Sequence, residues 1–284
     1  MGRVSRIGIA VVAVAALAAL LVSTGCSKAA EPEAAPKVVP PAVKEAGVLR
    51  AGVDLNYPPF AGTDNGRQVG LDIDVAAALA DQLGLTLKLV DVKPSEAATA
   101  LADGSADVVF SIGFSDAGLA NTSLAGSYMN DAPSFFVGTD STASVEPSLT
   151  LETLQADKIA VQSESAAYWV LASEIGTETL VVFPTLREAI TAADTQEVDL
   201  AAGGALVAGY IIRDFPNMHL AGQLEPATPL GVGVLPENTD LQTAVRGALD
   251  ALAADRVLDA IRTKWVGKLP ELVAAPSADA SATP

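Results

Sequence analysis

Catalysis and metal binding have few side chains to draw on in this sequence. It has one histidine, His219, and one cysteine, Cys26. A nucleophilic mechanism needs a base beside its nucleophile, and a transition-metal site needs several nitrogen or sulfur ligands. The carboxylates show no EF-hand spacing, so neither a metal nor a cofactor is expected. His219 follows Pro216 on a short stretch and reads as a surface or edge-strand residue. The nearest thing to a catalytic carboxylate pair is Asp72 with Asp74. Both fall in the first turn of a helical pattern, where carboxylates accept orphan N–H groups and meet the positive end of the helix dipole. They read as a fold marker, with Asp72 as the N-cap.

The elements around these residues alternate. Residues 48–54 read as a strand that stops at Asn56-Tyr57-Pro58-Pro59, where two prolines forbid helix. Residues 72–83 form an amphipathic helix on Ile73, Ala76, Ala77, Ala80 and Leu83, closed by Gly84. A strand (85–92), a helix (95–102) and a strand (106–111) follow. The second half repeats the rhythm: strands at 158–162, 179–183 and 198–201, helices at 165–173, 186–193 and 206–213. Two apolar stretches, 134–137 and 231–235, have no helix promptly after them. Helices at 241–253 and 256–266 close the body. Strands alternating with crossover helices imply an α/β fold of mostly parallel sheets covered on both faces. Two such sets, with two extended segments left over, suggest two sheets joined by crossing strands, with a ligand site between them.

The ends set the compartment. Arg3 and Arg6 precede an uncharged, Ala-rich run over 7–22 that stops at Ser23-Thr24-Gly25-Cys26. A small-residue site directly before a lone cysteine resembles a bacterial lipoprotein signal, which implies a signal peptide over 1–25, cleavage before Cys26 and lipid on its sulfur. Ser23 departs from the aliphatic residue usual three positions before that cysteine. One cysteine allows no internal disulfide. Residues 26–46 read as a Pro/Ala-rich spacer and 269–284 as a disordered tail. The formal net charge of −17 offers no basic face for nucleic acid.

The stretch Gly70-Leu71-Asp72-Ile73-Asp74-Val75, followed by Leu79-Ala80 and Leu83, resembles the family-three extracytoplasmic solute-binding proteins, the amino-acid receptor class of ABC importers. Gly52-Val53-Asp54-Leu55-Asn56-Tyr57-Pro58-Pro59-Phe60 is similar to the first strand and aromatic turn of that family. Ala102-Asp103-Gly104-Ser105-Ala106-Asp107-Val108-Val109 is similar to its helix-to-strand passage, and Thr263-Lys264-Trp265 to its closing helix. The resemblance runs in order over residues 47–268. It implies a two-lobed periplasmic-binding-protein-like fold, with 47–130 and 230–268 in lobe 1 and 134–225 in lobe 2. It also implies a small-molecule solute, a membrane permease as partner and a monomeric receptor outside the cytoplasm, which the signal pattern makes lipid-anchored at the outer face of the membrane or periplasmic.

Two features that the resemblance implies are missing. The family clamps an amino acid with an arginine on its carboxylate and an aspartate on its ammonium. Gly118 stands at the arginine position, and Gly204 at that of the aspartate. No Arg or Lys lies anywhere from Val108 to Asp157, and Pro94 stands near the place of an aromatic wall. The positions that still match the family's ligand-facing segments are Asp54, Tyr57 and Phe60 on the first turn, Ser111, Phe114 and Ser115 after the third strand, and Gln162, Glu164 and Ser165 at a helix start. These are acids and aromatics without a basic group, which suits an amine-bearing solute. Two other readings stay open: a degenerate receptor that senses or binds a partner at the surface without transport, and a dehydratase-like enzyme using Asp54 or Glu164 as general acid.

Overall fold

The computed structural model describes residues 35–113, 122–139 and 148–274. Two five-stranded sheets carry the body. In chain order the elements are β1 (Val48–Val53), β2 (Gly62–Asp64), β3 (Arg67–Val69), α1 (Leu71–Leu83), β4 (Thr86–Asp91), α2 (Ala97–Ala102), β5 (Val108–Gly113), β6 (Ser123–Asp131), β7 (Pro133–Gly138), β8 (Ile159–Gln162), α3 (Ala166–Glu174), β9 (Leu180–Phe183), α4 (Leu186–Asp194), β10 (Leu200–Gly204), α5 (Ala205–Ile211), β11 (Met218–Gln223), β12 (Thr228–Val234), α6 (Thr239–Ala254) and α7 (Val257–Val266).

The first sheet runs β4-β1-β5-β12-β6 and the second β9-β8-β10-β7-β11. Each places its second strand beside its first and its third on the other side, all parallel. The sheets are mixed rather than uniformly parallel, because one strand in each is reversed. Those strands, β12 in the first sheet and β7 in the second, are the ones that arrive by crossing from the other lobe. The crossings run from β6 to β7 through Asp131-Ala132-Pro133 and from β11 back to β12. Four strands were not expected from the sequence: β2 and β3, which form a hairpin, β6 and β11.

Burial follows the periodicity. β1 buries Leu49, Ala51 and Val53, and α1 buries Leu71, Val75, Ala76, Leu79 and Leu83, the stripe that an amphipathic helix turns to a core. Gly84 ends α1 at φ 67°, a left-handed position that glycine adopts without steric cost. The N-cap of α1 is Gly70, not Asp72, and no side chain caps it. A Cβ on residue 70 would stand 2.1 Å from the Phe60 carbonyl oxygen, so the helix can start against the aromatic turn only with glycine there.

The described residues of the expected spacer and tail are packed against the body. Within the stretch 36–46, Val38 and Val43 are buried, Lys37 N–H donates to Leu83 O (2.9 Å) and Asn238 Nδ2 donates to Ala42 O (2.8 Å). Its scattered apolar residues have no period of their own because they join the core of the body rather than form a regular element. After α7, Leu269 and Leu272 are buried, and Val273 N–H donates to Gln223 Oε1 (2.7 Å). Ala274 pairs with Ala227 on the return crossing, so the chain passes from lobe 1 to the lobe junction a third time.

Candidate functional site

Two chambers open between the sheets and meet at Tyr57, Asp131 and Leu230. The inner one, about 200 Å³, is lined by Asp54, Tyr57, Phe60, Asp72, Pro94, Phe110 and Ser111, besides Asp131. The outer one, about 480 Å³, is lined chiefly by lobe 2, through Gln162, Glu164, Ser165, Leu186 and Gly204. No Lys, Arg or His is among the described residues that line either chamber.

The turn after β1 builds one wall. Asp54 Oδ1 accepts from Asn56 N–H (3.1 Å), and Phe60 N–H donates to Tyr57 O (2.9 Å). These bonds hold the Tyr57 and Phe60 rings stacked, with centroids 5.2 Å apart and planes 14° from parallel. Phe60 is 4 % exposed and belongs mainly to the core, whereas Tyr57 is 48 % exposed and faces the opening. Partial burial, then the negative charges of Asp131 and Asp54, push the Tyr57 hydroxyl up from its ordinary pKa.

Asp72 is the central group of the inner chamber. Its carboxylate accepts from Ser111 Oγ at Oδ2 (2.6 Å) and from Tyr128 OH at Oδ1 (2.6 Å). Tyr128 OH in turn accepts from Ser111 N–H (2.9 Å), with Ser111 at φ 55°. Burial raises the Asp72 pKa to about 7, against the two hydrogen bonds that favour the charged form. The Tyr128 hydroxyl is pushed well above its usual range by burial, then by the Asp72 charge beside it. Asp72 therefore spends nothing on capping its own helix, because its partners lie on β5 and β6.

Asp131 ends β6 at the first crossing. Its Oδ1 accepts from Ala132 N–H and from Leu206 N–H in the first turn of α5 (both 3.0 Å), tying the crossing strand to lobe 2. Burial raises its pKa against those backbone bonds. Its Oδ2 lies 3.4 Å from where a Cβ of Gly204 would stand, so the glycine leaves that oxygen open to the outer chamber. Across this chamber Ser165 caps α3: its Oγ donates to Gln162 O (2.8 Å) and accepts from Tyr168 N–H (3.1 Å). Glu164, just before it, is exposed with φ 56°.

Of the residues expected at a site, Asp54, Tyr57, Phe60 and Ser111 line the inner chamber and Gln162, Glu164 and Ser165 the outer. Phe114, Ser115 and Cys26 lie outside the described residues. Asp72 as a lining group, Asp131 and Phe110 were missed. Asp72 reads locally as a cap, and the Leu206 partner of Asp131 is distant in sequence, so neither carries a local signal. His219 lines a separate cavity beside Arg213 and Lys268, and that cavity shares no lining residue with the two chambers. Among the described residues no group of three His, Cys, Asp or Glu is placed to hold a metal ion.

Two sheets of matching strand order, with a cleft between them reached by crossing strands, define a two-lobed binding protein. The bacterial extracellular solute-binding proteins, family 3, match residues 49–268, and the chain belongs to that family. Among solved structures it is similar to an ancestral cationic amino acid solute-binding protein (24 % identity, TM-score 0.67, covering 78 % of this chain and 96 % of that one). It is similar to the L-cystine solute receptor of Neisseria gonorrhoeae in an unliganded open conformation (21 %, 0.67, 78 % and 93 %). It is also similar to a polar amino acid ABC uptake transporter substrate-binding protein from Streptococcus thermophilus (16 %, 0.68, 81 % and 88 %). These likenesses establish a shared fold. No curated protein matches the chain.

Proposed function

We propose that this protein is the receptor of an ABC-type importer, anchored outside the cytoplasm by lipid on Cys26, and that it holds an amine-bearing solute between its lobes. The observation that carries this reading is the charge of the cleft. Asp54, Asp72, Asp131 and Glu164 line it, and no described lining residue is cationic. A free carboxylate on the solute would meet no fixed cation and would forgo charge-assisted bonds of about 1.5–3 kcal/mol each. An ammonium group would instead find carboxylates and the exposed ring of Tyr57, which Phe60 backs from the core. The glycine at 204 fits the same reading, since the acid beside it comes from the crossing strand as Asp131.

Closure would follow from contacts made to both lobes at once. Tyr57, on lobe 1, and Asp131, at the crossing, border both chambers and are the groups through which a solute would draw the lobes together. The test is a thermal-shift and calorimetric panel of linear mono- and diamines, amino acids and neutral polar solutes, with solution scattering on the best binder. Amines should raise the melting temperature and compact the protein. Stabilisation by amino acids alone, with amines inert, would refute the reading.

A further inference from the structure

We infer that Asp72 is the counter-ion that selects a cationic head group in the inner chamber, and that a proton leaves the site as that cation enters. This rests on the receptor reading above and extends it to a selecting residue and a response to pH.

A fully buried carboxylate is ordinarily matched by a cation or turned toward water, because an isolated charge in a low-dielectric interior is costly. Asp72 has neither remedy: it is 2 % exposed, and both its oxygens are met by hydroxyl groups. The described residues that line the chamber around it supply no positive charge. β5 brings Ser111, β6 brings Tyr128, the turn after β1 brings Asp54 and Tyr57, and the crossing brings Asp131. The segment after β4 contributes Val92 and Pro94, and β12 contributes Leu230. On α1 itself, Asp74 is already held by Lys264 Nζ and Trp265 Nε1, both at 2.6 Å. The wall that Asp72 shares with the chamber thus holds a buried carboxyl met by hydroxyl groups and by no described cation, and a solute in the chamber is the partner that would supply one.

The empty site answers this shortage by keeping a proton. Burial lifts the Asp72 pKa to about 7, so near neutrality a large share of empty molecules carry the carboxylic acid. In the acid form the carboxyl O–H donates to one of the two hydroxyl oxygens that otherwise donate to it. When an ammonium group arrives that O–H bond breaks, the proton passes to solvent, the hydroxyl turns back to donate, and the carboxylate stays paired with the ammonium. The ligand keeps its own proton, since an alkylamine titrates near 10.4, as lysine does. The Tyr57 and Tyr128 hydroxyls are both pushed up from their ordinary value.

The experiment is titration calorimetry of the full chain with 1,5-diaminopentane at pH 8 and pH 6, each in two buffers of different ionisation enthalpy. Binding should weaken about tenfold from pH 8 to pH 6, as a group with a pKa near 7 must lose its proton first. The two buffers should show net proton release at pH 6. Asp72→Asn should bind more weakly at pH 8 and lose both the pH slope and the proton release, while His219→Gln keeps them. Equal affinity at both pH values with no proton exchange overturns the inference and leaves the receptor reading intact. So does a full slope in Asp72→Asn. Absence of any amine binding at pH 8 overturns both. Where Asp72→Asn fails to fold, Asp131→Asn separates the two cleft carboxyls of raised pKa: the pH slope and proton release that persist in it belong to Asp72, and their loss there overturns the inference.

Discussion

The two lobes solve one backbone problem with the same residue type, and the comparison shows what burial adds. Asp107 precedes β5, the third strand of the first sheet, and Asp199 precedes β10, the third strand of the second. Each donates its own N–H to the strand beside it, Asp107 to Arg50 O (2.8 Å) and Asp199 to Lys158 O (3.0 Å). Each carboxylate also collects two backbone N–H groups, from Lys44 and Arg50 in lobe 1 and from Asp157 and Lys158 in lobe 2. Only in lobe 1 does an arginine join in, with Arg50 Nε and NH2 reaching the Asp107 oxygens at 3.1 and 2.6 Å. That clasp is covered, with side chains 11 % and 5 % exposed, whereas Asp199 is open to water. A buried carboxylate needs its charge matched, and an exposed one is already served by solvent.

The helices that follow the first strands differ in the opposite way. The second residue of α1 is the buried Asp72, and that of α3 is the buried Ala167. Lobe 1 thus holds one buried acid with a cation and one without, while lobe 2 is apolar at the matching helix position.

The comparison can be broken most readily at Asp107. Asp107→Asn should cost about 3–5 kcal/mol in urea unfolding, because it strands the Arg50 charge in the lobe 1 clasp. A loss no larger than that of Asp199→Asn would mean that burial of the clasp is irrelevant. Asp72 gives the next effect, and its sign is opposite to that of a paired acid. Its folded pKa of about 7 exceeds the ordinary value of 3.8, so the folded state holds the extra proton between those values. Stability should fall as pH rises from about 4 to about 7 and level off above. Asp72→Asn should remove that part of the slope, so that the variant gains on the parent at pH 8 and little at pH 4, as followed by urea melts. The smallest effect belongs to Asp199→Asn, about 1 kcal/mol, since an amide oxygen still accepts from the strand start and water covers the rest.

Local pattern was enough for most elements and for much of the candidate site. The alternation of strand and helix, the Gly84 stop and the aromatic turn at Tyr57 are consequences of neighbours in sequence. Where the reading went astray, the deciding partner was distant. Asp72 looks like a cap until Ser111 and Tyr128 arrive from β5 and β6. Ser165, expected at the cleft, lines it but spends its hydroxyl on capping α3. Val38 and Val43 look like spacer because their apolar spacing matches no regular element.

The amino-acid sequence alone determined the two runs of βα units, the shortage of catalytic and metal-ligating side chains, and the lack of any Lys or Arg from Val108 to Asp157. Those are matters of period and composition, which need no partner. Tertiary structure decided which acids share a chamber, which of them has a cation, and how the reversed strands stitch the lobes together. These depend on pairings such as Asp72 with Tyr128 and Asp131 with Leu206, in which desolvation and charge act on groups that only folding brings within reach.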